Sequence, residues 1–191
     1  MKKDNICFPQ KLETNRLILK KVSAGDIKYS NEILAAIKES VPVQKEFCPW
    51  GKNENLETVE KYIKNVIKRW KKHDSFLYFI FNKKTKDFLG EVSLHSFVKW
   101  NKTAEVGYWL ANSATGYGYC QEAVREIEKI AFQYGLNRLI IKTDSTNKKS
   151  NKTIQALGYH LDGVLRQDSY IWDLQIIDDT NYYSKLKSEL K

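Results

Sequence analysis

Ala104-Glu-Val-Gly-Tyr-Trp-Leu-Ala-Asn-Ser-Ala-Thr-Gly-Tyr-Gly-Tyr-Cys-Gln-Glu-Ala123 joins three local signals in one unbroken run. Glu105 to Ala111 reads as a strand, and the small-residue loop after it holds Gly116 and Gly118. An apolar helical stripe follows at once. Ala123, Val124, Ile127, Ile130, Ala131 and Tyr134 fall near i, i+1, i+4, i+7, i+8 and i+11, one face of a helix. A strand, a glycine loop and a helix start can cradle a phosphate. The first helical turn leaves N–H groups without intrahelical partners, and glycines let an anion approach them closely. Two glycines before a helix also serve as a plain tight turn.

The spacing excludes two better-known phosphate loops. No Gly-x-x-x-x-Gly-Lys-Ser/Thr is present, and Gly116-Tyr-Gly118 lacks the third glycine of the dinucleotide fingerprint. Thr115-Gly-Tyr-Gly-Tyr-Cys120 instead resembles the pyrophosphate loop of the GNAT acetyltransferases, Gln/Arg-x-x-Gly-x-Gly/Ala. Thr115 stands where Gln or Arg is usual, and Cys120 where Gly or Ala is usual. Lys99-Trp-Asn-Lys-Thr-Ala-Glu-Val-Gly-Tyr-Trp-Leu110 is similar to the RimL/RimJ-type branch of that superfamily, the ribosomal-protein-serine N-acetyltransferases. Asn147-Lys-Lys-Ser-Asn-Lys-Thr-Ile-Gln-Ala-Leu-Gly-Tyr159 resembles the branch's Asn-x-x-Ser signature followed by Gly-Phe/Tyr. Glu13-Thr-Asn-Arg-Leu-Ile-Leu19 resembles its opening strand.

The resemblance spans about residues 10 to 187 and implies an α+β fold of the GNAT kind. Such a fold has a central mixed, mostly antiparallel sheet splayed between its fourth and fifth strands, with helices on both faces and acetyl-CoA in the gap. It implies that Thr115, Gly116, Tyr117, Gly118, Tyr119 and Cys120 carry the pyrophosphate. The backbone of Trp109, Leu110 and Ala111 would lie against the pantetheine arm, and an N–H there would polarise the thioester carbonyl. Asn147 and Asn151 are expected to bond cofactor or substrate amides. Ser150 is the expected proton donor to the leaving thiolate, although Ser150 or Asn147 can equally cap the helix that starts near Lys148. Glu105 is the expected base on the fourth strand; its other reading is a carboxylate paired with a lysine. One departure bears on the acceptor: Ser169 stands where the branch carries a glutamate, and Asp168 beside it points to the opposite face of a regular strand unless a bulge re-aims it.

Composition sets wider bounds. The chain has 191 residues, enough for one domain with a substantial core. Hydrophobic residues make up 42%, which fits a packed globule and not a disordered chain. No run of 18 uncharged apolar residues occurs and the N-terminus lacks an apolar signal core, so neither membrane insertion nor secretion is expected. Cys7, Cys48 and Cys120 are scattered, which argues against a disulfide framework or zinc site and suits a reducing cytoplasm. His73, His95 and His160 show no ligand spacing, and no metal is expected. A formal charge of +9 attracts anions: cofactor phosphates, an acidic protein, or RNA. Most aromatics occupy regular strand or helix positions, which disfavours RNA.

Along the chain we expect a strand at 16–22 and a helix from a cap at Ser23–Asp26 to about Ser40, limited by Pro42. Val43 to Asn55, with Pro49-Trp50-Gly51, lacks periodicity. Val59, Tyr62, Ile63, Val66, Ile67 and Trp70 mark a lysine-backed helix. Strands at 76–81, 88–98 and 103–111 form a meander. The glycine-loop helix, a strand at 138–144, a helix at 148–157 and strands from 159 and 171 complete a single domain over 1–191. The expectation is an acetyl-CoA-dependent N-acetyltransferase, monomer or homodimer, acting on a protein N-terminal amine, such as that of the acidic ribosomal stalk protein. Rival readings are transfer to a polyamine, amino acid or aminoglycoside, and a non-catalytic acyl-CoA sensor.

Overall fold

A computed structural model describes residues 8–44, 54–171 and 174–190. Cys7, Cys48 and the Pro49-Trp50-Gly51 stretch lie outside the described residues. The elements in chain order are β1 (Lys11–Glu13), β2 (Leu17–Lys21), α1 (Ser30–Gln44), α2 (Leu56–Lys71), β3 (Ser75–Asn82), β4 (Phe88–Val98), β5 (Thr103–Leu110), α3 (Tyr119–Gln133), β6 (Arg138–Asp144), α4 (Lys148–Ala156), β7 (His160–Ile171) and β8 (Ile176–Leu186). The strands form one sheet in the order β1-β2-β3-β4-β5-β6-β8-β7.

β3 reads Ser-Phe-Leu-Tyr-Phe-Ile-Phe-Asn and is buried from Ser75 to Phe81. A strand covered on both faces needs such a continuous apolar run. Its alternation places helices on both sides. Phe81 meets the ring of Tyr29, just before α1, at 5.0 Å between centroids, whereas Asn82 reaches the hydroxyl of Tyr119 at the start of α3. Successive strand side chains point to opposite faces, so α1 and α3 cover opposite faces. α2 is an amphipathic helix that buries Val59, Ile63, Val66 and Trp70. Asn55 caps it: its side chain accepts from the Thr58 N–H at 3.1 Å, while Thr58 Oγ1 accepts from the Asn55 N–H at 2.9 Å. Trp70 closes the helix edge-on against Phe76 and Tyr78, each at 5.1 Å. Burying a side chain of this size stabilises by roughly 1.5–3 kcal/mol.

Three details differ from the sequence reading. The short β1 pairs with β2, so the expected fourth and fifth strands are β5 and β6. The first helix is preceded by a 3-10 segment, Ala24–Tyr29, and then runs through Pro42 to Gln44. Proline removes one backbone donor near the end of the helix but does not stop it there. β7 extends to Ile171, and β8 begins only at Ile176.

The sheet divides where the site lies. β5 and β6 are its parallel neighbours, and they pair only at Thr103–Arg138, Ala104–Leu139 and Glu105–Ile140. Beyond Glu105, β5 stays with β4 as far as Leu110, and β6 stays with β8 as far as Asp144. The expected splay is therefore present, and it opens immediately after Glu105. No helix among the described residues is long and apolar enough to cross a membrane.

Candidate active site

The glycine loop is held by β4, by α1 and by its own turn. Ala111 N–H donates to Leu89 O at 2.9 Å, which ties the end of β5 to β4. Asn112 N–H donates to Ser40 Oγ and Ser113 N–H to Glu39 Oε1, both at 2.9 Å, so α1 anchors the turn that follows. Thr115 turns its hydroxyl back onto Asn112 O at 2.8 Å. Gly116 and Gly118 have φ of +86° and +76°, the left-handed region where glycine carries no Cβ penalty. α3 starts on Gly118, which has no side chain to cap it, so no cap residue takes up its first-turn amides. A Cβ built on Gly116 would meet nothing within 4 Å. This cradle fits the phosphates of acetyl-CoA.

Arg16 clamps the loop from outside. Its Nε donates to Glu122 Oε2 at 2.6 Å, its backbone N–H to Glu122 Oε1 at 2.9 Å, and its Nη1 to Tyr117 O at 2.9 Å. Its guanidinium also lies over the Tyr119 ring at 4.7 Å, and Tyr119 stacks on Tyr117. Burial alone would raise the Glu122 carboxyl. Hydrogen bonds from Thr14 and Arg16 outweigh it and hold the acid below its usual range.

Tyr108, Ser150 and Cys120 form a second cluster. The hydroxyls of Tyr108 and Ser150 are 3.0 Å apart. Burial raises the Tyr108 phenol above its usual value, and pushes the Cys120 thiol up to about 12, so Cys120 remains a thiol at neutral pH. Asn147 is the cap of α4: its Oδ1 accepts from the Ser150 N–H at 3.1 Å. Asn151 spends its side chain inside the protein. Its Nδ2 donates to Asp144 O and Asn147 O, and its Oδ1 accepts from Asn181 and Tyr183. Asp178, buried on β8, accepts from Ser145 Oγ, Thr146 Oγ1 and Thr146 N–H at 2.7, 2.7 and 3.1 Å. It fixes the loop from which Ser150 is presented.

Glu105 lies at the point where the sheet opens, and Lys142 of β6 pairs with it at 2.8 Å. Lys142 also lies over the Tyr182 ring. Across the β4–β5 ladder Glu105 faces His95, Gly107 faces Ser93, and Trp109 faces Glu91. Burial lowers the His95 pKa, so the imidazole is neutral at physiological pH. Glu91 is half-buried and accepts from the Tyr62 hydroxyl at 2.7 Å. Burial pushes its carboxyl up to about 7, and the Tyr62 hydrogen bond opposes part of that rise.

The ladder between β7 and β8 shifts register between Leu165 and Ser169, with Gln167 at a φ of +55°. A bulge therefore sits just before Asp168, which is exposed, while Ser169 is half-buried opposite Asp178. No cluster of three or more His, Cys, Asp or Glu residues suited to a metal occurs among the described residues.

Sequence reasoning located the glycine loop between β5 and α3 and the opening of the sheet, and the structure puts Glu105 at that opening and Ser150 against Tyr108. It foresaw a lysine partner as the other reading of Glu105 but not that the lysine is Lys142, and it missed the Arg16–Glu122 clamp, the Asp178 support and the Glu91–Tyr62 contact. None of these pairs has a local spacing; each joins distant segments.

Comparison with known proteins agrees with this geometry. A model described as an acetyltransferase (GNAT) domain matches residues 16–160. The putative ribosomal N-acetyltransferase YdaF of Bacillus subtilis (strain 168) is 31% identical over 139 residues, covering 71% of this chain and 75% of its own. The ribosomal-protein-serine acetyltransferase of Escherichia coli (strain K12) is 34% identical over 104 residues, covering 54% and 57%. Among solved structures, the microcin C7 self-immunity acetyltransferase MccE, in complex with acetyl-CoA and AMP, superposes with a TM-score of 0.83 at 26% identity, covering 96% of this chain and 99% of its own. With the glycine loop, the divided sheet and these likenesses together, the chain belongs to the GNAT superfamily, as an acetyl-CoA-dependent N-acetyltransferase of RimL-like type.

Proposed function

We propose that the acceptor is the N-terminal α-amine of a protein, an acidic ribosomal protein of the stalk type. The observation that carries this reading is the likeness to relatives named as ribosomal N-acetyltransferases. The charge of +9 supports an acidic acceptor.

Acetyl-CoA supplies an acetyl group already activated as a thioester. The amides of Thr115 to Cys120 and the start of α3 would hold its pyrophosphate, with Arg16 keeping the loop in place. The backbone of Trp109, Leu110 and Ala111 borders the opening, where it can accompany the pantetheine arm; the Ala111 N–H is spent on Leu89 O, so polarising the carbonyl falls to another N–H of the stretch. Asn147 spends its Oδ1 on the cap, which leaves its amide N–H groups for a ligand. An α-amine with pKa near 8 is roughly one-tenth neutral at pH 7, so a mild base suffices. Glu105 takes that role in this reading. Its pairing with Lys142 means that Lys142 must stay behind as an unpaired cation when the proton arrives. Ser150, relayed by Tyr108, returns a proton to the departing thiolate. With a pKa near ~8.5 that thiolate leaves tolerably unaided, so the acid's contribution is modest.

A second reading is a small amine acceptor, favoured by the likeness to MccE, whose structure holds AMP beside acetyl-CoA. Thiol release from acetyl-CoA separates the two. The acceptors are an acidic peptide with a free N-terminal serine, the full stalk protein, and spermidine, each followed against ionic strength. A protein acceptor is acetylated, and the rate falls as screening shortens to about 8 Å near 0.15 M salt. Acetylation of spermidine alone overturns the protein reading.

A further inference from the structure

We propose that Glu91, braced by Tyr62, is the carboxylate that seats the acceptor's ammonium next to the cofactor strand. The inference rests on the acetyl-transfer reading and names the chemical class its acceptor must present: a primary ammonium with N–H donors.

Placement is the first argument. Glu91 is the direct ladder partner of Trp109, and paired residues of an antiparallel ladder project from the same face. Trp109 begins the stretch that borders the opening. Glu105 lies four positions back along β5, about 13 Å at 3.3 Å per residue, so it takes the proton of an amine seated at Glu91 through a water relay and not by direct contact. Of the two acids, Glu91 is the one alongside Trp109, while Glu105 sits at the apex of the split. Between them Gly107 carries no side chain. A Cβ there would come within 3.0 Å of His95 Nε2 and 3.1 Å of Ser93 Oγ, so these two groups occupy the trough floor.

Charge is the second argument. Glu13, Glu105, Glu122 and Glu128 each hold a lysine or arginine. Glu91 makes no ion pair with any of the described residues; it accepts one hydrogen bond, from a neutral phenol. A partly desolvated carboxylate without a cation carries a cost, and burial accordingly raises its pKa. Perturbed acids cluster at functional sites, and this one stands on the cofactor-strand face.

The groups around it do not supply the missing charge. From α2 come Tyr62, whose own proton is held more tightly because of burial and the Glu91 charge, and Arg69, which acts on Tyr62 and His95. On its own strand are Ser93 and the neutral His95; from β5 comes Trp109, and from β3 its partner Phe79. α1, which also packs on β4, spends its Glu39 on Ser113. A primary ammonium brings one positive charge and three donors, of which the Glu91 carboxylate and Ser93 Oγ can each take one. A seated ammonium stabilises ionised Glu91 and lowers its pKa.

The test is a carbon-13 NMR titration of glutamate carboxyls in the full chain with coenzyme A bound, the Glu91 signal being assigned by its loss in Glu91→Gln. Serine amide, a primary ammonium without a carboxylate, is the probe. Its addition in excess should move the Glu91 midpoint down from about 7 by a unit or so, a tenfold change in proton affinity. Tetramethylammonium, which has charge but no N–H, should move it less. In steady state Glu91→Gln should raise KM for the N-terminal-serine peptide about tenfold, with a smaller change in kcat. A midpoint that ignores serine amide overturns the proposal even if the peptide is acetylated. A midpoint that moves upholds it even if the peptide is not a substrate, in which case the protein-acceptor reading is what fails.

Discussion

Arg16 Nε and Glu122 Oε2 meet at 2.6 Å although 106 positions separate them in the chain. The contact joins the residue before β2 to the first turn of α3. The third Arg16 bond, to Tyr117 O, fixes the loop itself. A carboxylate in the first turn of a helix would compete with a bound phosphate for the same amides. Arg16 and Thr14 draw Glu122 away from that role.

Arg16→Gln should therefore loosen the loop more than it destabilises the protein. The Arg16 side chain is 49% exposed, and exposed pairs contribute only about 0.2–1 kcal/mol to folding. We expect the acetyl-CoA Kd to rise about tenfold, near 1.4 kcal/mol, with a melting shift of a few degrees. Arg16→Lys should fall between, because an ammonium cannot serve Glu122 and Tyr117 O in one planar fork. Calorimetric binding together with thermal melts reads both quantities. A large melting shift with unchanged affinity would show that the clamp serves the fold alone.

Two glycines should respond differently. A Cβ on Gly118 would sit 3.6 Å from Arg16 Nη2 and Gln121 Oε1, ordinary contact distances. Gly118→Ala then costs the left-handed backbone term of about 1–2 kcal/mol, and acetyl-CoA binding weakens because the loop shifts to relieve it. A Cβ on Gly90 would lie 2.1 Å from Trp109 O, with φ at +145°. No flexible atom can move aside there, so Gly90→Ala should unfold the β4–β5 pairing. Proton-exchange protection along β5 should survive the first substitution and collapse in the second.

The sequence made some of this legible for physical reasons. The loop carries its signal locally: glycines at +86° and +76° are required by the turn, and the α3 stripe follows without interruption. β3 and α2 were equally readable, because continuous and helical-period apolar patterns leave few alternatives. Pro42 misled, since a proline one turn from a helix end removes little that tertiary packing cannot offset. The β7 bulge was legible only as a conditional, Asp168 against Ser169, because bulges follow from ladder pairing and not from local pattern. Lys142, Asp178 and Tyr62 were invisible as partners of Glu105, Thr146 and Glu91. Their roles depend on which strands become neighbours.

The pair Lys185–Glu128 links β8 to α3 in the interior, with side chains 10% and 1% exposed and a separation of 2.8 Å. Lys185 Nζ also donates to Leu157 O, at the end of α4. Burial raises the Glu128 carboxyl, against the lowering effect of Lys185. Removing one partner leaves the other charge buried alone, a loss of about 3–5 kcal/mol. Lys185→Met and Glu128→Leu should each lower stability by that order. The double substitution to apolar residues should recover most of it, because the desolvation cost disappears with the charges. Urea unfolding of the four proteins forms the cycle, and additive losses would show that the two groups do not act as a pair.

Asp178 gives a pH-dependent prediction that also touches the chemistry. Burial alone would raise its carboxyl. Hydrogen bonds from Ser145 and Thr146 side chains and from the Thr146 and Asp179 N–H groups outweigh it, leaving the folded-state pKa below the ordinary value. A depressed carboxyl binds its proton less readily folded than unfolded. Its stabilisation is therefore complete above the unfolded pKa of about 3.9 and is lost as pH falls through the folded value. Asp178→Asn removes that contribution, so the stability gap between wild type and variant should be widest above about pH 5 and narrow steadily below pH 4. The same substitution frees Ser145 and Thr146, the turn from which Asn147 and Ser150 are presented. At neutral pH the variant should lose less acetyl-CoA affinity than turnover, because the glycine loop lies on a different strand end and only the Asn147 contact is loosened. Its kcat should fall several-fold, and adding Ser150→Ala should lower it little further. Independent, multiplying losses would mean that Asp178 does not act through Ser150, and a stability gap that is flat with pH would mean that its carboxylate is not held in the ionised form by those bonds.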